Sequence, residues 1–437
     1  MRLVRSLWRS VYYDVPERYE KAVFNANANL FEMVNYYASK AFSTVYADLV
    51  GGLNRNEEEA ESFVRGFIDS LEPCDVFAEY HFPVDRKIGV RESVKAIRAY
   101  HGCSWNSTTL GGLKLKENLS EETMRGLAAL STYRNACYDL DVAGAFGGLQ
   151  LSKAHYEPED LQLALSKYAD KLRSNRGAMD VLQTSLLSTS DSKLHSSGKD
   201  FNEAGAKTAV AVLLKTLDLQ HLDDKTFILH GINGLGTKIG RDLNALGAKC
   251  IGVLDRPCSF HDSNGIMLKE LLRHMKKYGT MLNFRPKVRE NDGDKIFGEE
   301  CDILVLADEE VALNFNNAER VTAKTVLEAS VGPVTPIADK ILNSKEIVVV
   351  PSILAGSGKA LMAYFDYMER GGGSASRVSE DVLLQKVHEV VQETLVLKDA
   401  LGVDLRTAAY VKAIKRLFNV MLDLEVKKAE VFAHQKE

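Results

Sequence analysis

Phe227-Ile228-Leu229-His230-Gly231-Ile232-Asn233-Gly234-Leu235-Gly236 decides the fold class of this chain. Three apolar residues run into a turn rich in glycine, and a helical pattern follows, ending near Gly247. A second apolar strand, Cys250 to Leu254, ends on Asp255, 24 residues after Gly231. Strand, glycine turn and helix, with an acid closing the next strand, form the context of a dinucleotide fingerprint. The first glycine makes the tight turn, the third lets helix and strand pack closely, and backbone between them approaches a pyrophosphate. The middle position here is Asn233, with Gly234 displaced by one. Gly231, Asn233, Gly234, Gly236 and Asp255 are therefore the candidate cofactor residues. Asp255 would accept hydrogen bonds from a ribose, which favours NAD over NADP. A second reading stays open, a Rossmann domain that keeps its turn glycines for packing alone, because a fold does not guarantee its ligand.

Outward from this stretch the alternation continues. A helix is expected over Ile266–Tyr278, with strands at Asp302–Leu306 and Val348–Val350. Apolar strands alternating with helices imply a parallel sheet covered on both faces. Upstream, Pro16–Phe42 and Glu57–Leu71 read as helices, the second ending before Pro73. Asp75–Phe82, Ser93–Tyr100 and Gly112–Leu115 read as strands. Ser120 caps a further helix, with Glu121 and Glu122 in the first turn, where the helix dipole favours acids. Residues 173–205 are polar and rich in serine, a long connection or an eroded site loop. Ser379–Lys427 is helical again, set off by Gly371-Gly372-Gly373. The expected architecture is α/β. An N-terminal domain spans residues 1–205, a Rossmann domain 206–365, and helices over 366–437 pack back on the first domain.

Bulk properties narrow the function classes. The chain has 437 residues, 45% hydrophobic and 26% charged, with net charge −5. That balance argues against nucleic-acid binding driven by overall charge, while a local patch stays open. Lys276-Lys277 and Lys412, Lys415, Arg416 are basic clusters on helices, and their spacing fits ordinary solvated faces, so RNA is the disfavoured partner. No apolar run reaches the roughly 18 residues of a membrane span, so no membrane insertion is expected. The six cysteines are scattered without zinc-ligand spacing; no metal is expected, and they read as reduced thiols. At the N-terminus Arg2, Arg5 and Arg9 alternate with Leu3, Val4, Leu7, Trp8 and Val11 before the first acid, Asp14. Residues 1–13 thus resemble a mitochondrial targeting segment; the alternative is a short surface helix on a cytoplasmic protein.

Three further blocks carry a resemblance. Gly402-Val403-Asp404-Leu405-Arg406-Thr407-Ala408-Ala409-Tyr410-Val411, Gly247-Ala248-Lys249-Cys250-Ile251-Gly252-Val253 and Gly332-Pro333-Val334-Thr335-Pro336 are similar to motifs of the glutamate dehydrogenase family, which includes leucine, phenylalanine and valine dehydrogenases. The similarity covers Pro73 to Asn419 and looks closest to the glutamate enzymes. It implies reversible oxidative deamination of an amino acid with a nicotinamide cofactor. That chemistry needs a lysine acid/base, lysines that hold substrate carboxylates, and a proton-shuttling aspartate.

Most of those side chains are absent here. By the resemblance, Leu110, before Gly111-Gly112, replaces the first carboxylate lysine, and Arg134 stands for the second. A guanidinium still binds anions. Phe146, in the loop Ala143–Gly148, replaces the catalytic lysine and cannot transfer a proton. Asp180 corresponds to the catalytic aspartate, against an alternative as an exposed loop acid. Ala363 replaces the serine that contacts substrate, Val331 an asparagine at the nicotinamide side, and Lys359 a glycine near the cofactor cleft. The stretch around Gly371-Gly372-Gly373 is too short for the antenna of animal-type enzymes. Losing several members of one catalytic unit removes both chemistry and positioning. The leading expectation is a pseudoenzyme with a structural or binding role, a subunit of a homo- or hetero-oligomer in a mitochondrial multiprotein assembly. Two alternatives stand beside it: an active NAD-dependent amino-acid dehydrogenase with an altered site, and an inactive regulatory subunit of an active dehydrogenase.

Overall fold

The computed structural model describes residues 12–25, 28–152, 155–175, 180–183, 200–232, 234–285, 289–290, 293–308, 311–370 and 379–434. Three helices come first: α1 (Glu17–Phe24), α2 (Leu30–Gly51) and α3 (Glu57–Leu71). The single helix expected over Pro16–Phe42 is broken, because Asn29 starts a new one. Its side chain accepts from the Glu32 amide at 2.9 Å, and Glu32 reaches back to the Asn29 amide at 3.3 Å. This reciprocal capping box satisfies two amides that a helix start would otherwise leave unpaired.

The first sheet follows, with strands β1 (Val76–Asp85), β2 (Arg91–His101) and β3 (Thr109–Leu115), helix α4 (Glu121–Cys137), strand β4 (Ala143–Gln150), helix α5 (Pro158–Asn175) and strand β5 (Asp180–Gln183). Its order is β1-β2-β4-β3-β5, with β3 parallel to β4 and β5 and the other pairings antiparallel. Part of the polar connection expected over 173–205 is therefore regular structure, including the end of α5, β5 and the helix that starts at Phe201.

Helix α6 (Phe201–Leu217) leads into the second sheet, and residue 205 falls inside it. In order come β6 (Thr226–His230), α7 (Gly234–Ala245), β7 (Lys249–Asp255), β8 (Cys258–His261), α8 (Leu268–Tyr278), β9 (Arg289–Glu290), β10 (Ile303–Leu306), β11 (Thr325–Glu328), α9 (Pro336–Ser344), β12 (Val348–Val350), α10 (Ser352–Ala355) and α11 (Gly358–Arg370). The sheet order is β12-β11-β10-β6-β7-β8-β9. The expected parallel sheet holds from β12 to β7, but β8 and β9 extend it antiparallel. The apolar strands β6 and β10 are buried along nearly their whole length, as strands covered on both faces must be.

The helix expected over Ser379–Lys427 is two, α12 (Glu380–Leu401) and α13 (Leu405–His434), parted at Gly402 with φ +61°. Gly371-Gly372-Gly373 and residues 1–11 lie outside the described residues. Helix α13 packs on α2 and α4, so the chain's end returns to its first half. There Arg406 is fully enclosed. It makes two bonds to Glu328 at the end of β11, at 2.7 and 2.9 Å, and one to Asp339 on α9 at 2.9 Å, with the Tyr37 ring of α2 4.7 Å away. Glu328 also accepts the Ser352 amide at 2.8 Å. Replacing Arg406 by alanine would leave two carboxylates buried without a cation. A loss of about 3–5 kcal/mol is expected in urea unfolding, and a loss below about 1 kcal/mol would show that the cluster does not hold the halves together.

Candidate functional site

The positions singled out in the first half gather on β3, β4, β5 and α4. Leu110 lies on β3 between Gly144 of β4 and Val181 of β5, with no exposed surface. Asp180 pairs with Thr109 as the first residue of β5, so its backbone belongs to a strand and the loop reading is corrected. Ala143–Gly148, expected as a loop, is strand β4 in the interior of the sheet.

The glycines of these segments are explained by packing. A Cβ on Gly111 would overlap the Ala145 carbonyl oxygen, and one on Gly144 would overlap Thr132 and the Ala128 carbonyl of α4. The ring of Phe146 lies across Gly112, 2.5 Å from where a Cβ would stand. Strand and helix approach so closely here that only hydrogen fits. The glycine pattern therefore persists whether or not a lysine stands beside it.

Phe146 and Val331 pack against one apolar cluster, formed by Cys74, Ile97, Ala99, Met124, Leu127 and Ala128. Leu30 and Phe31, at the start of α2, join the same cluster. The Leu30 side chain presses on Gly332, 2.6 Å from the place of a Cβ, and the α2 backbone at Phe31 closes on Gly126 of α4 at 2.7 Å. Beside them a cavity of about 20 Å³ remains, lined by Leu30, Gly332, Ile353 and Arg406 among others. That is room for about one water molecule. Nothing local in Asn29-Leu30-Phe31 reports this packing, because the stretch reads as an ordinary helix start. Ala363 is buried on α11 in the main core, which also contains Leu110.

Arg134 differs from these apolar residues. It is 5% exposed on α4 and donates to Ser131 Oγ at 3.1 Å, while its Nε has no partner. Among the described residues no carboxylate forms an ion pair with it. Loss of water pushes its pKa down to about 10, with nearby Tyr138 opposing the shift, so it is still a cation at neutral pH. A buried, unpaired cation is costly, and an anion arriving beside it would be held strongly.

In the second half, the candidate cofactor residues come together as expected, apart from Asn233, which lies outside the described residues. Gly231 has φ +95°, and a Cβ there would stand 2.7 Å from the Asp308 amide. Gly236 touches the Gly231 carbonyl so closely that a Cβ would overlap it. Asp255, at the end of β7, accepts from the Ile232 amide; burial raises its pKa against that bond, and Asp308 raises it further. The Asn202 side chain of α6 sits over Gly234, with Nδ2 2.8 Å from the place of a Cβ. A positive-φ glycine, a helix starting at the turn and an acid at the end of the next strand fit a dinucleotide. The same closeness also satisfies the packing reading of the glycines. Lys359 does approach this region, its stem 3.4 Å from the place of a Cβ on Gly205, next to Leu235.

Comparison with known proteins settles the kinship. Residues 201–424 match the Glutamate/Leucine/Phenylalanine/Valine dehydrogenase family, and residues 73–185 match the Glu/Leu/Phe/Val dehydrogenase dimerisation domain. The chain belongs to the Glu/Leu/Phe/Val dehydrogenase family. It is 25% identical over 385 residues to an NAD-specific glutamate dehydrogenase of Staphylococcus aureus, covering 81% of this chain and 92% of that protein. A glutamate dehydrogenase of Thermotoga maritima is 26% identical over 366 residues, covering 77% and 88%. Among solved structures, a hetero-hexameric glutamate dehydrogenase from Thermus thermophilus in its Leu-bound form superimposes with a TM-score of 0.70 at 21% identity, covering 84% of this chain and 97% of that one. The two-domain fold of the family is therefore this chain's fold.

Two substitutions at the site, and one control at the end of α2, test its construction. Gly111→Ala must displace the β4 backbone and should cost at least about 3 kcal/mol or prevent folding. Gly51→Ala, with nothing within 4 Å of the new methyl, should be neutral or stabilising by urea unfolding. Equal effects would contradict the packing account. Arg134→Met should make the ligand-free protein more stable, since it replaces an unpaired buried cation by an apolar side chain. A marked loss of Tm on that change would mean that Arg134 already has a counter-charge.

Proposed function

We propose that this chain is a glutamate dehydrogenase-like pseudoenzyme, kept for a structural or binding role as a subunit of an oligomeric mitochondrial assembly. The observation that carries the reading is Phe146, whose ring packs on Gly112 within an apolar cluster where the family reaction needs a proton-transferring lysine. Leu110, fully buried, offers a carboxylate nothing to bind, and Ala363 offers a substrate no hydroxyl. Leu30 and Phe31 fill space beside Val331 and Gly332. Of Leu110, Arg134, Phe146, Asp180 and Ala363, only Arg134 and Asp180 carry ionisable groups. These can hold an anion or accept a proton, but they do not replace a base at Phe146.

Nucleotide binding is a separate matter from turnover. The residues that would hold NAD are Gly231, Gly234, Gly236 and Asp255: backbone amides at the start of α7 would meet the pyrophosphate, and the Asp255 carboxylate would meet a ribose. When bound, the cofactor supplies hydride transfer. The chain's own part would be to orient it, with Asn202 beside the turn.

Oligomer formation is supported by the match of residues 73–185 to a dimerisation domain. The Arg-bearing start of the sequence supports mitochondrial import. A second reading, an inactive regulatory subunit paired with an active dehydrogenase, draws support from the Thermus neighbour, which is a hetero-hexamer. A third reading, an active enzyme with an altered site, draws support from the relatives, which are named as dehydrogenases.

The deciding experiment titrates purified protein with NADH by fluorescence. Glutamate with NAD, or 2-oxoglutarate with ammonium and NADH, is then supplied and turnover followed. The expected outcome is saturable NADH binding with no turnover. Turnover abolished by Arg134→Met or Asp180→Asn would overturn the proposal in favour of a rebuilt enzyme. Turnover that appears only when an active dehydrogenase copurifies would favour the regulatory reading.

A further inference from the structure

The two basic clusters of the sequence have different fates in the fold. The C-terminal one is engaged with acids. Lys412 pairs with Asp139 and Glu393 at 3.1 and 3.2 Å, Arg416 with Asp141 at 2.6 Å, and Lys415 with Asp48 at 3.9 Å. The other, on α8, is not. Lys269, Arg273, Lys276 and Lys277 are all exposed, and among the described residues none of them has a carboxylate partner.

Their spacing of four, three and one residues puts all four on one stripe of the helix. Leu268 and Leu271 are buried on the opposite side. Arg285 adds a fifth cation, 3.5 Å from the only acid of α8, Glu270. Beside the stripe runs a series of rings. Phe260, in the core, meets Phe284 at 5.8 Å; Phe284 meets His274 at 5.4 Å; His274 meets Tyr278 at 4.6 Å. Tyr278 is 57% exposed, and the Lys277 ammonium lies 4.9 Å from its ring centre.

Through Phe260 this surface belongs to the β8 side of the second sheet, whereas α13 and α6 contact β12 at the other end. Within this surface Glu270 pairs with Arg285, and among the described residues Lys269, Arg273, Lys276 and Lys277 meet no acid. Four unpaired cations, with Arg285 held by Glu270 beside them, and an anchored, exposed aromatic ring match a single-stranded nucleic acid, whose phosphates meet cations while a base stacks on the ring. An anionic lipid surface fits less well, because a membrane-surface helix inserts an apolar face and the apolar face of α8 is already in the core. From this geometry we infer that α8 is a binding site for single-stranded RNA, independent of the dehydrogenase cleft.

The test is fluorescence anisotropy of the full chain with a labelled single-stranded uridine oligomer of about 12 nucleotides, at 50 and 150 mM salt; sites of this class span roughly 4–16 nucleotides. Saturable binding is expected, with a log–log salt slope near −3, which corresponds to about four phosphate contacts on a single strand. Charge reversal at Lys269, Arg273, Lys276 and Lys277 together should weaken binding at least about tenfold and flatten that slope. Tyr278→Ala should weaken binding about fivefold or more while leaving the slope unchanged. Both variants change exposed side chains, and an unchanged Tm confirms that they fold. Neutralising Lys415 and Arg416 to glutamine, on the more exposed side of α13, should leave RNA binding unchanged. Absence of binding, or binding indifferent to the α8 changes, overturns the inference. So does capture by phosphatidylserine vesicles that the oligomer fails to displace, which would assign the patch to a lipid surface.

Discussion

The structure depends on the enclosed guanidinium of Arg406. It joins α13, which carries it, to two successive elements far back in the sequence, the end of β11 through Glu328 and helix α9 through Asp339. The Tyr37 ring covers it from α2, and the Ser352 amide donates to the same Glu328 carboxylate. Burial raises the pKa of Asp339 above the usual carboxylate range, and the Arg406 guanidinium opposes that rise without cancelling it. Such a cluster tolerates little displacement, since separating its members exposes charges to a medium that cannot solvate them. It therefore fixes the Rossmann sheet against the helices of the first half, and with it the approach of Gly332 to Leu30. Tyr138 adds a second link, donating from α4 to the Leu354 carbonyl at 2.9 Å.

With the halves fixed in this way, the close-packed glycines and the apolar residues beside them are compatible. Gly111, Gly144, Gly231 and Gly236 stand at approaches too close for any side chain. Removing a catalytic lysine costs the fold nothing, whereas removing one of these glycines moves a strand or a helix. A chain released from catalysis would keep the glycines and replace the lysines with residues that pack. Leu110 and Phe146 are such residues, and both sit in apolar clusters. Arg134 is the exception, because a buried unpaired cation brings no packing benefit that leucine or methionine would not bring more cheaply.

Elements whose signals are local were legible in the sequence. Glu57–Leu71, the cap at Ser120, the β6 turn and β12 fall where residue pattern puts them. The start of α2 was legible too, as an Asn29-to-Glu32 capping box, but its apolar surroundings read as one long helix. Strand β4 was hidden by its own composition: Ala143-Gly144-Ala145-Phe146-Gly147-Gly148 has the look of a loop, and only its neighbours on both sides make it a strand. The antiparallel β8 and β9 are short and carry no turn signature that separates them from a connection. At the site, the identity of each side chain was readable, but what fills the space between them was not. Leu30 lies 302 positions from Gly332, and no local pattern reports a contact of that span.

Charge shows the same limit in another form. Lys412, Lys415 and Arg416 look as basic in sequence as Lys276 and Lys277. The fold supplies the first group with Asp139, Glu393, Asp141 and Asp48 from distant segments and supplies the second with none among the described residues. Opposite charges brought together by folding cancel over a few ångströms, so a lysine-rich helix is a basic surface only where its tertiary neighbours leave it so. Net charge of −5 for the chain then says little about either face. On the far edge of the second sheet the exposed cations of α8 leave a surface of net positive charge.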